Sequence, residues 1–135
     1  MSWRLAESLE ALRAQVNALA PKRSTRHDGM IGDTSHAARP SDHNPNSAGV
    51  VCAFDLTNDP PHEVHVALIA EAIRASKDSR AKYLIFNHFI CRSYPKPGVP
   101  AWTWAPYTGP NSHSRHLHLS VFAAKADDPA PWKIT

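Results

Sequence analysis

The segment Asn111-Ser112-His113-Ser114-Arg115-His116-Leu117-His118-Leu119-Ser120 decides how this chain reads. From His116 to Val121 polar and apolar residues alternate, which is the period of a half-buried β-strand. Residues two apart on a strand share a face and rise about 6.5–7 Å along it. His116 and His118 therefore point the same way, while Leu117, Leu119 and Val121 face a core. Two imidazoles on one rigid strand suit a metal site, one as ligand and one as neighbour. The plainer alternative is two solvated histidines on an open sheet face. The upstream sequence bears on that choice.

Tyr83-Leu84-Ile85-Phe86 and Phe89-Ile90-Cys91-Arg92-Ser93 flank Asn87-His88, the spacing and turn chemistry of a hairpin. Val50-Val51-Cys52-Ala53-Phe54-Asp55-Leu56 reads as one buried strand interrupted by a single acid. A carboxylate in such a strand needs an arginine, a hydrogen-bond network or a metal, because an unpaired buried charge is very costly. Residues 2–20 carry Leu5, Leu9, Leu12, Val16 and Leu19 at steps of four and three. They predict an amphipathic helix with Ser2 as N-cap and Pro21 as its stop. A second helix is expected from about His62 to Ser76, opened by Asp59 as cap with Pro60 and Pro61 in the first turn. It would be buried through Val66, Ile69, Ala70 and Ile73, with His62, Glu63 and His65 exposed.

No periodicity holds over residues 21–49. Lys22, Arg23 and Arg26 read as a solvated basic cluster, and Asp28-Gly29 as a turn. Residues 38–49 form a loop of a length that in compact domains is usually functional or disordered, and its richness in His, Asp, Arg and Ser points to function. Residues 93–111 form a loop of Pro, Trp and Tyr whose aromatics either line a groove or cap the core. The tail pins back through Trp132. The expected architecture is a single α+β domain over residues 1–135, with a small antiparallel sheet, two helices packed on it and long loops around a cleft.

The composition fits that picture. With 135 residues, 42% hydrophobic and 20% charged, the chain can bury one real core. A net charge of +3 suits an anionic polymer but is too slight to argue for nucleic acid. Cys52 and Cys91 read as buried free thiols, a bridge staying open if their strands adjoin. No apolar run has transmembrane length, and the first residues lack a signal-peptide pattern. We therefore expect a monomer made in the cytosol, with no membrane insertion.

A zinc hydrolase needs three protein ligands and an open fourth position. His43 from the loop, with Asp55 and His118 from strands, would supply them and give Asp55 its partner. Ser41-Asp42-His43, Gly49, Ala53-Phe54-Asp55 and His116-Leu117-His118 resemble the zinc DD-peptidase and Hedgehog-like superfamily, over roughly residues 39–121. That superfamily includes D-alanyl-D-alanine carboxypeptidases, murein endopeptidases and L-alanyl-D-glutamate endolysins. Its pattern is Ser-x-His, then Gly-x-Ala-x-Asp, then a distal histidine. The resemblance implies His43, Asp55 and His118 as ligands of Zn2+ on a small α+β fold. The step from His43 to Asp55 is twelve positions, longer than the family's, with residues 44–48 looped out.

Many members place a carboxylate base shortly before the last histidine, but no acid occurs between Asp78 and Asp127. His113-x-x-His116-x-His118 resembles the murein endopeptidase branch, where histidines fill these places. His116, on the ligand's face, is the first candidate general base and His113 the second. Arg39 and Ser41 resemble the family's substrate-binding positions. Arg39 could hold a peptide carboxylate bidentately or simply brace the fold. Trp102 and Trp104 would flank the cleft, His36 is a weaker pocket candidate, and His27, His62, His65 and His88 are left at the surface or in turns.

The expected function is a zinc-dependent peptidase hydrolysing peptidoglycan stem peptides or cross-links, acting at the cell wall after release or phage-mediated delivery. The alternative is an inactive, zinc-stabilised peptide- or wall-binding domain of the same fold. A His-Asn-His nuclease built from Asp42-His43 and Asn87-His88 is a distant third, because the spacing is poor and the basic surface thin.

Overall fold

The computed structural model describes residues 2–30, 41–109 and 111–135, so Arg39 and His36 lie outside the described residues. Its elements follow the order β1 (Arg4–Leu5), α1 (Glu7–Leu19), β2 (Val50–Val51), β3 (Ala53–Thr57), α2 (Val66–Ser76), β4 (Ala81–Phe86), β5 (Phe89–Arg92), β6 (Trp104–Pro106) and β7 (His116–Val121). Short 3-10 turns occupy Pro60–His62 and Ala123–Lys125. Five strands form an antiparallel sheet in the order β3-β7-β4-β5-β6, while β1 and β2 pair in parallel apart from it. This is the small α+β fold that the sequence predicts.

Register divides the sheet into two chemically different faces. One row runs Phe54, Leu119, Leu84, Cys91, Trp104 across the five strands. The next row runs Asp55, His118, Ile85, Ile90, Ala105. Paired residues share a face and successive rows alternate. The first row packs with Leu9, Leu12 and Val16 of α1 and Val66, Ala70 and Ile73 of α2 in one buried cluster. The second row presents Asp55 and His118 on the opposite face. Between β4 and β5, Asn87 and His88 are both left-handed (φ 50° and 71°), the conformation a two-residue type I′ hairpin requires.

The chain departs from the sequence expectations where tertiary partners override local pattern. Residues 2–20 are not one helix, since Arg4 N–H donates to Gly49 O and Ala6 N–H to Val51 O. The helix thus begins at Glu7, with Ala6 rather than Ser2 at the N-cap position. Leu5 is buried either way, so its periodicity carried no information on conformation. Leu19, at the last position of the stripe, is 66% exposed. The single strand expected over residues 50–56 is broken at Cys52, whose N–H donates to Asp42 O, and its halves join different sheets.

The second helix starts later than Pro60. Asp59 and Val64 exchange backbone hydrogen bonds that close a tight loop, Glu63 is left-handed (φ 65°), and α2 begins at Val66. The Asp59 carboxylate does not cap a helix. It accepts from Ser24 N–H and contacts His62 Nδ1 at 2.7 Å. Arg23 is no solvated cation but a buried one, paired with Asp28 at 2.8 Å and donating to Asn17. Cys52 and Cys91 are buried free thiols, and burial pushes the Cys91 thiol up to about 11. Trp132 does pin the tail, donating its indole N–H to Ser8 O under the Arg80 guanidinium. No helix among the described residues is long and apolar enough to cross a membrane.

Candidate metal centre

Strand pairing sets Asp55 directly opposite His118. His43 reaches them from a loop that its own polar residues organise. The Ser41 hydroxyl accepts from His43 N–H, and Asn44 N–H donates to Ser41 O. Asn46 Oδ1 then accepts from the N–H groups of Ala48 and Val50, and Gly49 adopts φ +77° to turn the chain into β2. This local closure absorbs the extra residues between His43 and Asp55. On the other side, Gly29 bridges to the backbone of Asp55, and Met30 O receives His43 Nδ1 at 2.7 Å.

His43 Nε2, Asp55 Oδ1 and His118 Nδ1 form a triangle with every side 3.2 Å. Three ligands arranged tetrahedrally around a zinc ion at about 2.0–2.1 Å would be separated by about 3.3 Å. The ring tautomers agree with that geometry. A carbonyl oxygen has no proton to give, so the contact with Met30 O places the proton of neutral His43 on Nδ1 and leaves Nε2 a lone pair. His118 Nε2 lies 2.7 Å from the buried Ser120 hydroxyl, and in the tautomer that donates to this oxygen His118 Nδ1 carries a lone pair towards the same point. Asp55 Oδ1 is buried and in hydrogen-bond geometry with none of the described residues. Two lone pairs and a carboxylate oxygen converging in this way call for a cation, and the group is positioned to hold a metal ion.

Two more histidines close the cluster. His116 Nε2 stands 3.6 Å from Asp55 Oδ2. The His113 ring lies edge-on to those of His116 and His118, at 5.0 and 5.4 Å between centroids. His113 is left-handed (φ 56°), and the hairpin turn holds it there, Asn87 N–H donating to His113 O and His88 N–H to Ser112 O. Both His113 Nδ1 and His116 Nε2 are buried without a hydrogen-bond partner among the described residues.

Charge and burial act on these groups in opposite senses. Burial pushes the Asp55 carboxyl up, but His118 and His43 outweigh it and hold Asp55 well below the usual carboxylate range. For His43, burial is outweighed by Asp55 and the Met30 carbonyl, so its pKa is raised. Burial, then repulsion from His118 and His116, takes His113 down to about 4. His116 is lowered by burial against the opposing pull of Asp55.

The structure therefore brings together His43, Asp55, His113, His116 and His118. Ser41 serves here through its hydroxyl on His43 N–H. Trp104 and Trp102 are not at the cluster. Trp104 lies in the helix-facing row, its indole 3.4 Å from Glu71, and Trp102 packs against the core with its carbonyl on Arg74. His62, His65 and His88 are exposed.

Sequence reasoning missed several contributors. Tyr83 stacks on His118 (5.3 Å, 7° between planes) and Tyr107 meets the His113 edge. Ser120 could have been found by extending the His116, His118 alternation one step; Met30 and Gly29 carry no local signal. A cleft of about 550 Å³, lined by Asp42, Asn44, Lys82 and Tyr83 among others, includes none of the five cluster residues and meets them through Tyr83 on His118 and Ser41 on His43; in it Lys82 Nζ pairs with Asp42 at 3.2 Å. No family model matches the chain, and comparison with curated proteins and with solved structures returns no match.

Proposed function

We propose that the chain is a zinc-dependent peptidase acting on peptidoglycan stem peptides or cross-links. The observation that carries this reading is the 3.2 Å triangle of His43, Asp55 and His118 with two further unpartnered imidazole nitrogens beside it. Two imidazoles and one carboxylate are a donor set used by hydrolytic zinc. When bound, such an ion supplies Lewis acidity, polarising a scissile carbonyl and making a nearby water acidic close to neutrality.

The remaining work is proton transfer. His116 and His113 are shifted so that both are neutral at pH 7, each with a bare nitrogen. A neutral imidazole can take the proton from the attacking water and return it to the leaving amine, so no net proton is consumed in the exchange. His116 is the better base of the two. Asp55 Oδ2, 3.6 Å away, stabilises its protonated form, whereas His113 at about 4 would hold a proton poorly.

The substrate class rests on the resemblance to the zinc DD-peptidase and Hedgehog-like superfamily. The cleft also supports it, since Asp42 and Lys82 offer both charge signs to a peptide carrying both. The net charge of +3 suits an anionic wall, reached after release or phage-mediated delivery. A second reading, a zinc-stabilised wall-binding domain without activity, is favoured by the weak basicity of His113 and by the lack, among the described residues, of a carboxylate base in the cluster. Incubating zinc-loaded protein with purified muropeptides separates the two. New amine termini that vanish with Asp55→Ala and fall at least about a hundredfold with His116→Ala are expected. Binding without cleavage would favour the second reading.

A further inference from the structure

We infer that the cluster carries a second, weaker site for a divalent transition cation, formed by Asp55, His113 and His116, whose filling silences the first. The donor atoms of Asp55, His113 and His116 lie within 4.8 Å of one another, as do those of His43, Asp55 and His118, and the two groups share Asp55. The two oxygens of Asp55 divide between them. Oδ1 faces His43 and His118, and Oδ2 faces His116. One carboxylate bridging two cations is the usual arrangement of paired metal sites.

The unpartnered ring nitrogens point to a ligand at this second position. His113 Nδ1 and His116 Nε2 are both buried and unpartnered, a costly state for a ring nitrogen that a cation would relieve. His113 adopts a left-handed backbone, uncommon for a residue other than glycine, and the Asn87-His88 turn holds it with two hydrogen bonds. Imidazole with carboxylate suits zinc, cobalt or nickel rather than calcium or magnesium.

Geometry ranks the two sites. The first triangle already has the spacing a bound ion needs, whereas the second opens to 3.6 Å between His116 Nε2 and Asp55 Oδ2 and must draw inward. The second ion therefore binds more weakly. Its consequence rests on the peptidase reading above: it occupies the lone pairs that would receive the proton from water, so zinc beyond one equivalent inhibits.

The metal-free 135-residue chain is titrated with zinc by calorimetry, and with cobalt by electron paramagnetic resonance. Two classes of site are expected, the second at least about tenfold weaker and lost in the His113→Gln, His116→Gln double variant. In wild type, a second cobalt equivalent should quench the signal of the first, a readout that does not depend on how the variant folds. Zinc-supported cleavage should peak at one equivalent and fall on the second. Saturation at one ion, a second ion retained by the double variant, an unquenched cobalt signal or activity that holds at two equivalents would each overturn the inference while leaving the peptidase reading standing. Uptake of no ion overturns both.

Discussion

Gly29 and Asp55 exchange both backbone hydrogen bonds, and a Cβ at Gly29 would come within 3.1 Å of Asp55 Oδ2. The segment after the first helix thus forms an extra edge beside β3 that leaves the carboxylate just enough room. Gly29→Ala should displace the carboxylate by a few tenths of an ångström and lower metal affinity about tenfold to a hundredfold. The fold should survive with a modest fall in melting temperature. Unchanged affinity in a folded variant would contradict the idea that Gly29 is there to seat Asp55.

Ser120 makes the complementary prediction from the other side of the ligand set. Its hydroxyl, fully buried, is the partner of His118 Nε2 at 2.7 Å and fixes which ring nitrogen faces the cluster. Ser120→Ala keeps the volume nearly constant and removes that partner. Zinc affinity should drop by about one to two orders of magnitude in a competition titration with a chromophoric chelator. A Ser120→Thr variant that folds should keep most of it.

The buried pair Arg23–Asp28 holds the segment that carries Gly29 and Met30. Arg23 donates to both Asp28 oxygens, and Asp28 Oδ1 also accepts from Thr57 N–H and Oγ1. Arg23→Met strands a buried carboxylate and should cost about 3–5 kcal/mol in denaturant unfolding, with much of it recovered in Arg23→Met, Asp28→Asn. Burial pushes the Asp28 carboxyl up, but Arg23 and Thr57 bring it below its ordinary value. Its stabilising contribution is therefore complete above about pH 4 and lost as pH falls through the lower folded value. Asp28→Asn should flatten the acid limb of the stability curve, and an unaltered limb would count against the pair.

His113 predicts a second pH dependence, at higher pH and of different origin. Held at about 4 by burial and by its neighbours, it binds fewer protons in the folded chain than in the unfolded one between about pH 6.5 and pH 4. Its contribution to the stability of the metal-free protein is fully present above that window and is lost as pH falls through it. Denaturant unfolding in chelator at several pH values across the window should show the slope, and His113→Gln should reduce it. Equal slopes in the two proteins would contradict the buried, neutral imidazole.

Much of the fold was legible because it depends on short-range alternation. The His116–Val121 pattern, the Asn87-His88 hairpin and the lone acid at Asp55 each carry their signal within a few residues, and together they locate the centre. What failed depended on distant partners. Arg4 and Leu5 became a strand because Val50 and Val51 lie beside them, and no helical period can report that. Trp104 belongs to the helix side through its pairing with Cys91, a phase fixed by register across the sheet rather than by aromatic content. Arg23 looked like one of three solvated cations until the turn brought Asp28 onto it. Tyr83, Met30 and Gly29 entered the centre only through the assembled tertiary structure.

Elemental analysis of purified chain after dialysis into metal-free buffer, wild type beside Asp55→Ala, tests the metal centre most directly. One firmly held zinc per chain is predicted in wild type, and none in a folded Asp55→Ala variant. Folded wild type that carries no zinc and takes none up on reconstitution would contradict the account, and His43, Asp55 and His118 would then be a buried polar cluster serving the fold alone.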